Sequence, residues 1–170
     1  GGHNRMLVIG IDPGTASTGY GLIRQLSNGQ LHLVDYGMIS TAAGQPLPAR
    51  LLDLYSSLMD VLNEYEPDSA AVETLFFQRN VSTALMVGQA RGVALLALAM
   101  VNVAVDEYSP SEVKLAVSGY GNADKQQMQA MVKALLAMDH IPKPDDAADA
   151  LAVAICHCHS HKIRRLEDEA

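Results

Sequence analysis

Residues 6–12 read MLVIGID, a short apolar run that stops in a carboxylate and is followed at once by Pro13 and Gly14. A run this short, partly β-branched and closed by a turn, is a buried strand. A buried strand that ends in a charge must bring Asp12 either to solvent at the sheet's end or into a site that uses the charge. A second short apolar segment, SAAVE, ends the same way, in Glu73.

The rest of the chain arranges itself around these two strands. GYGLIRQL and QLHLVDYGMIS flank Ser27, Asn28 and Gly29, a hairpin signal, so the first three strands are expected as an antiparallel meander. TAAGQPLP is a loop. ARLLDLYSSLMDVLNEYEP has apolar residues at helical spacing (Leu51, Leu54, Tyr55, Leu58, Met59, Leu62) and is closed by Pro67. After SAAVE comes the helix NVSTALMVGQARGVALLALAM, with Asn80 at its cap, and then a fifth strand, VNVAVDEY. SPSEVKLAV opens with Ser109 as N-cap, Pro110 at the first helical position and Glu112 completing a capping box. GYGNADKQQMQAMVKALLAM is a Gly-rich loop feeding a helix capped by Asn122 or Ala123, and DDAADALAVAICHCHSHKIRR is the last helix, basic at its C-terminus. This order predicts an α/β domain with a mixed five-stranded sheet flanked by helices. Residues 1–5 read as a tag remnant, 6–162 as a single domain and 163–170 as a flexible acidic tail.

Composition narrows the class. The chain has 170 residues, 49% hydrophobic and 18% charged, enough for one domain with a sizeable core. The most apolar stretch is broken by Arg91, Gly92 and Asn102, so no membrane span is expected, and no secretory signal is visible. Cys156 and Cys158 would diverge on one helix, which argues against a mutual disulfide and suits a cytoplasmic protein. The net charge of −7 opposes nucleic-acid binding unless a local basic face exists.

Four acids carry the chemistry. Asp12 and Glu73 end two strands, and Asp146 and Asp149 stand at (i, i+3) on the last helix, so both project from one face. Four unpaired carboxylates brought together are a liability. Around magnesium, a hard ion that prefers oxygen ligands, they make sense: two ions about 3.5–4 Å apart can activate water and stabilise a leaving oxygen in phosphodiester cleavage. The plainer reading is strand ends meeting solvent and an acidic first turn that complements a helix dipole.

The segments IGIDPGTASTGYG, AVETLFFQRN, GQARGVALLALA and DDAADALAVAICHCH, in this order over residues 6–159, resemble the RuvC-type Holliday junction resolvases of the ribonuclease H-like superfamily. The resemblance implies a homodimer that nicks a four-way DNA junction symmetrically, leaving ligatable ends. It implies catalytic, metal-ligating roles for Asp12, Glu73, Asp146 and Asp149, two Mg²⁺ ions with Mn²⁺ as a substitute, and work beside the RuvA–RuvB branch-migration motor. It also implies DNA contacts by Lys114 and Lys125 near the cleaved strand, Arg79 in the loop after Glu73, and Phe76 near the junction centre.

The residues themselves bear on these contacts. Lys125 in a helix's first turn opposes the helix dipole, and a bound phosphate would compensate. Phe76 and Phe77 are the chain's two phenylalanines; beside a nuclease centre they suit base stacking, although Phe more often packs in a core. The helix bearing Leu85, Met86, Val93, Leu96 and Leu98 has more apolar circumference than one core face needs, which fits a dimer interface. His157 and His161, at (i, i+4), form an incomplete zinc set, and Met128, Met131 and Met138 read as core filler.

Three rival readings stand against the resolvase reading. The opening motif also looks like the first phosphate loop of actin-like and sugar-kinase ATPases, but these need a second such domain. A non-enzymatic junction-binding module would leave the four acids unexplained. A ribonuclease H-like nuclease acting on RNA or another branched DNA is disfavoured by the resemblance alone.

Overall fold

The computed structural model describes residues 5–74 and 81–170, the side chains of residues 161–168 excepted. Its strands are β1 (Met6–Asp12), β2 (Ser17–Gln25), β3 (Leu31–Ser40), β4 (Ser69–Glu73) and β5 (Val105–Tyr108). Its helices are α1 (Leu47–Tyr65), α2 (Val81–Met100), α3 (Pro110–Ser118), α4 (Lys125–Leu135) and α5 (Asp145–Asp168). One sheet has the order β3-β2-β1-β4-β5. β1, β2 and β3 pair antiparallel, and β4 and β5 join β1 in parallel. This is the expected mixed sheet.

Helices cover both faces. The alternation of β1 sends Leu7, Ile9 and Ile11 into one core with Leu54, Leu58 and Leu62 of α1 and Ala94 and Leu98 of α2. Val8 enters the other core with Ala71, Leu151 and Ile155, on the side of α5. Two steps on from Val8 is Gly10 and two more is Asp12, so the carboxylate faces α5. Glu73 shares the parity of Ala71 and faces the same way.

Glycines bring α5 down onto the sheet. Gly10 and Gly21 are register partners, and Gly19 is the partner of Asp12. A Cβ on Gly10 would lie 2.1 Å from the Ala150 carbonyl oxygen, and one on Gly19 would lie 1.9 Å from that of Asp146. No side chain fits in either gap. The buried Ala147, Ala150 and Ala154 on α5 are the matching small face.

Several local expectations change. Asp124, not Asn122 or Ala123, caps α4, because its side chain accepts from the Gln127 N–H while the Gln127 side chain accepts from the Asp124 N–H. α1 starts at Leu47, inside the expected loop, with a proline in its first turn. β5 is confined to Val105–Tyr108, since Asn102 takes a left-handed φ of 58° and turns the chain. α2 is long and apolar enough to cross a membrane by length and composition. It instead packs Ala90, Ala94, Ala97 and Leu98 into the core. Asn80, the expected cap of α2, lies outside the described residues.

Candidate active site

The parallel strands β1 and β4 end at the same edge of the sheet, with Ile11 opposite Val72. One step further, the register sets Asp12 beside Glu73. The first turn of α5 comes down over this edge. Among the described residues, Asp12, Asp146 and Asp149 bring carboxylate oxygens within 4.8 Å of one another. Glu73 stands next to this trio, close enough that its charge acts on Asp12 and that of Asp149 acts on Glu73.

The electrostatics record the crowding. The Asp12 carboxyl is pushed up to about 7, by burial first and then by Asp149, Asp146 and Glu73. Glu73 is raised by burial and by Asp149, against the pull of Lys114. Asp149 reaches solvent, yet desolvation is the largest cause that lifts it, with Lys125 opposing. The trio is all-oxygen and anionic, a donor set that suits a hard divalent cation, whose charge would replace the proton that Asp12 otherwise retains near neutrality.

Further contacts fix the acids. Ser17 Oγ donates to Asp146 Oδ2 at 2.7 Å. The loop after Asp12 is closed by Thr18, whose hydroxyl accepts from the Gly14 N–H at 3.1 Å and donates to the Gly14 carbonyl at 2.7 Å. Thr15 Oγ1 donates to the Met86 carbonyl at 2.8 Å, tying that loop to α2. Arg91 of α2 donates to the Glu73 main-chain carbonyl at 3.3 Å and pairs with Glu107. The sequence reading assigned no role to Ser17, Thr15 or the Arg91–Glu107 pair. The clue for Ser17 and Thr15 was their place in the polar, small-residue segment GTASTG directly after Asp12.

Beside the acids lies a cavity of about 320 Å³, lined by Glu73, Lys114, Lys125, Gln129 and Asp149 together with Val113, Met128 and Val132. Lys114 and Lys125 therefore share one cleft with two of the acids. Asp145 pairs with Lys125: Nζ lies 2.6 Å from Asp145 Oδ2, and Gln129 donates to the other oxygen at 3.1 Å. Phe76, Phe77 and Arg79 lie outside the described residues.

The zinc reading finds no support in the geometry of His157. Its ring nitrogens hydrogen-bond with Ser69 Oγ at 2.6 Å and Tyr108 OH at 2.7 Å, deep in the core. Cys156 and Cys158 are buried and not joined by a disulfide.

The comparisons agree with this geometry. The family model for crossover junction endodeoxyribonuclease RuvC matches residues 8–157. The chain is 58% identical over 150 residues to that enzyme of Chloroflexus aurantiacus, covering 88% of this chain and 91% of the relative. It is 50% identical over 163 residues to the one of Rubrobacter xylanophilus, covering 96% and 90%. Among solved structures it is similar to Thermus thermophilus RuvC in complex with a Holliday junction substrate, with a TM-score of 0.89, 33% identity and coverage of 94% and 96%. Yeast mitochondrial resolvase Ydc2, at 15% identity and a TM-score of 0.65 over 96% of this chain and 86% of that one, shares the fold. With the family model matched over residues 8–157 and a relative 58% identical over 150 residues, the chain belongs to the RuvC family of crossover junction endodeoxyribonucleases.

Proposed function

We propose that Asp12, Glu73, Asp146 and Asp149 are the catalytic acids of this Holliday junction resolvase, and that they hold divalent magnesium. The observation that carries this reading is the convergence of Asp12, Asp146 and Asp149, from opposite ends of the chain, within 4.8 Å. Two ions, with manganese as a substitute, would supply an activated water and neutralise charge on the scissile phosphate. The chain's own groups do the rest. β1 and the Gly19 contact hold Asp12 against α5, Ser17 orients Asp146, and Glu73 completes the set from β4. Water oxygen bonds to phosphorus as the P–O3′ bond breaks, and the 3′ oxygen leaves as a hydroxyl. The products, a 5′-phosphate and a 3′-hydroxyl, can be religated.

Lys114 and Lys125, on the cleft wall, suit contacts with the cleaved strand's phosphates, and Lys125 would exchange Asp145 for phosphate. Phe76 is the residue for base stacking and Arg79 for the backbone nearby, by the family resemblance. With a net charge of −7, binding rests on these few cations and weakens steeply with salt.

α2 supports a homodimer. Val81, Leu85, Leu96 and Met100 are exposed by 55–75% and Met86 by 39%, whereas Leu98 is buried in the core and Val93 packs against it. Two copies would place two active sites for symmetric nicks. The RuvA–RuvB motor is the partner that the family implies, and two buried cysteines without a disulfide fit a reducing cytoplasm.

The test is incubation with a synthetic four-way junction and a matched linear duplex, with magnesium or with chelator. Paired, symmetric, magnesium-dependent nicks in the junction alone are expected. Tight binding without nicks across divalent ions and junction sequences would overturn the reading.

A further inference from the structure

We propose that Arg91 is a positioning residue for cleavage, setting where the Glu73 carboxylate stands by holding the main chain that carries it. This rests on the reading that Glu73 is a catalytic acid.

Glu73 is the last residue of β4, opposite Tyr108 at the end of β5. Its following amide, Thr74 N–H, still donates to the Tyr108 carbonyl at 2.7 Å, and the chain then leaves the sheet. A residue at such an exit has strand pairing on one side only, so its position depends on whatever binds its free carbonyl. Arg91 supplies that group. One guanidinium nitrogen donates to the Glu73 carbonyl at 3.3 Å, and another is paired with Glu107, the residue before Tyr108 on β5. A single planar fork thus spans the ends of two adjacent strands from a third element, α2.

The burial pattern separates this from a surface ion pair. The Arg91 side chain is 12% exposed, against 48% for Glu107. An exposed pair of opposite charges contributes little to stability. Here the partly solvated carboxylate orients the buried guanidinium, and the oriented guanidinium then meets a main-chain carbonyl of the active site. Arginine suits the task because its donors diverge in a fixed plane; a lysine ammonium at the same place would reach one acceptor at a time.

The same helix also grips the other catalytic strand end, through Thr15 and the Met86 carbonyl at 2.8 Å. α2 therefore fastens the edges that carry both Asp12 and Glu73. A small displacement of either matters: loosening a catalytic group by about 1 Å costs on the order of 10²-fold in rate.

The experiment compares Arg91→Met, Arg91→Lys and Glu107→Gln with wild type and with Glu73→Gln. Single-turnover junction cleavage is measured in magnesium, junction affinity in chelator, and amide exchange at Thr74 without metal or DNA. Arg91→Met is expected to lower the cleavage rate by about 30- to 100-fold while affinity changes by less than about threefold. It is also expected to speed Thr74 exchange by about tenfold or more. Arg91→Lys should recover part of the rate, and Glu107→Gln, which keeps an acceptor for the guanidinium, should stay within about fivefold of wild type. Two results would overturn the proposal. One is Arg91→Met cleaving at wild-type rate or leaving Thr74 exchange unchanged. The other is Arg91→Met and Glu107→Gln losing activity equally and in step with their melting temperatures. If Glu73→Gln still cuts, the assignment of Glu73 fails, a result that Thr74 exchange distinguishes from failure of the Arg91 contact.

Discussion

Gly19 and Asp146 touch through their backbones: a methyl on Gly19 would stand 1.9 Å from the Asp146 carbonyl oxygen. Gly19 is also the register partner of Asp12. One glycine thus sets the distance between the strand that supplies the first acid and the helix that supplies two more.

Gly19→Ala should push the first turn of α5 off the sheet. The clash is with main chain, so no side chain can relax to absorb it. A stability loss of about 1–3 kcal/mol is expected from overpacking, with cleavage slowed on the order of 10²-fold. Urea melts and single-turnover cleavage of a four-way junction check both. A variant that cuts at wild-type rate would show that the contact does not set the acid geometry.

Asp12→Asn puts a neutral amide of the same shape in place of the half-buried carboxyl, so that above about pH 7 one negative charge leaves the group of four. Junction binding should persist and cleavage should fall by more than about 10³-fold if the metal set is broken. The metal-free protein should become more stable, by about 1–2 kcal/mol, since an active-site liability has been removed. Calorimetry in chelator measures this, and an unchanged or lower melting temperature would count against the repulsion described here.

The pH dependence of metal-free stability follows from the same group. The Asp12 carboxyl lies at about 7 in the folded chain against 3.8 for an unperturbed aspartate, so the folded state holds its proton more tightly. Its contribution to stability is fully present below the unfolded value and is lost as pH rises through about 7. The raised Glu73 and Asp149 act in the same direction. In chelator, melting temperatures should therefore fall from pH 5 to pH 8. Magnesium should restore them at the upper end, and Asp12→Asn should flatten the slope.

Asp145→Asn addresses the Lys125 pair. Both side chains are more than half exposed, at 59% for Lys125 and 58% for Asp145, so the melting temperature should move by about a degree at most. Freed from its partner, Lys125 is available to phosphate. Junction binding at low salt should tighten by roughly two- to threefold, and the gain should vanish at high salt. Weaker binding at low salt would mean instead that Asp145 holds Lys125 where DNA needs it.

Much of this site could be read from residue order because its main features are local. The strand ends at Asp12 and Glu73 and the helical spacing of Asp146 and Asp149 each follow from short-range pattern. What pattern does not carry is which elements meet. The cap of α4 was misplaced because Asn122, Ala123 and Asp124 all precede the helix, and only the reciprocal bonds with Gln127 single out Asp124. Nothing local reveals that the start of α5 folds against α4 and offers Asp145 to Lys125. Leu98 and Leu96 are neighbours on an evenly apolar helix, so composition could not tell that one is buried and the other exposed. The Arg91 contact bridges α2 to two strand ends, and only the assembled sheet edge displays it.

The seating of α5 on the glycines of β1 and β2 also bears on the time before the chain is finished. α5 is the last element in chain order, and it brings Asp146 and Asp149. Synthesis can lay down the whole sheet, with Asp12 and Glu73 already in place, while half of the acid set is still on the ribosome. A product cut short before α5 would lack both the second pair of acids and the helix that covers one face of the sheet. Such a fragment would be exposed to proteases and without the means to cut a chromosome. On the reading that these four are the catalytic acids, cleavage waits until α5 has been made and has packed on the sheet.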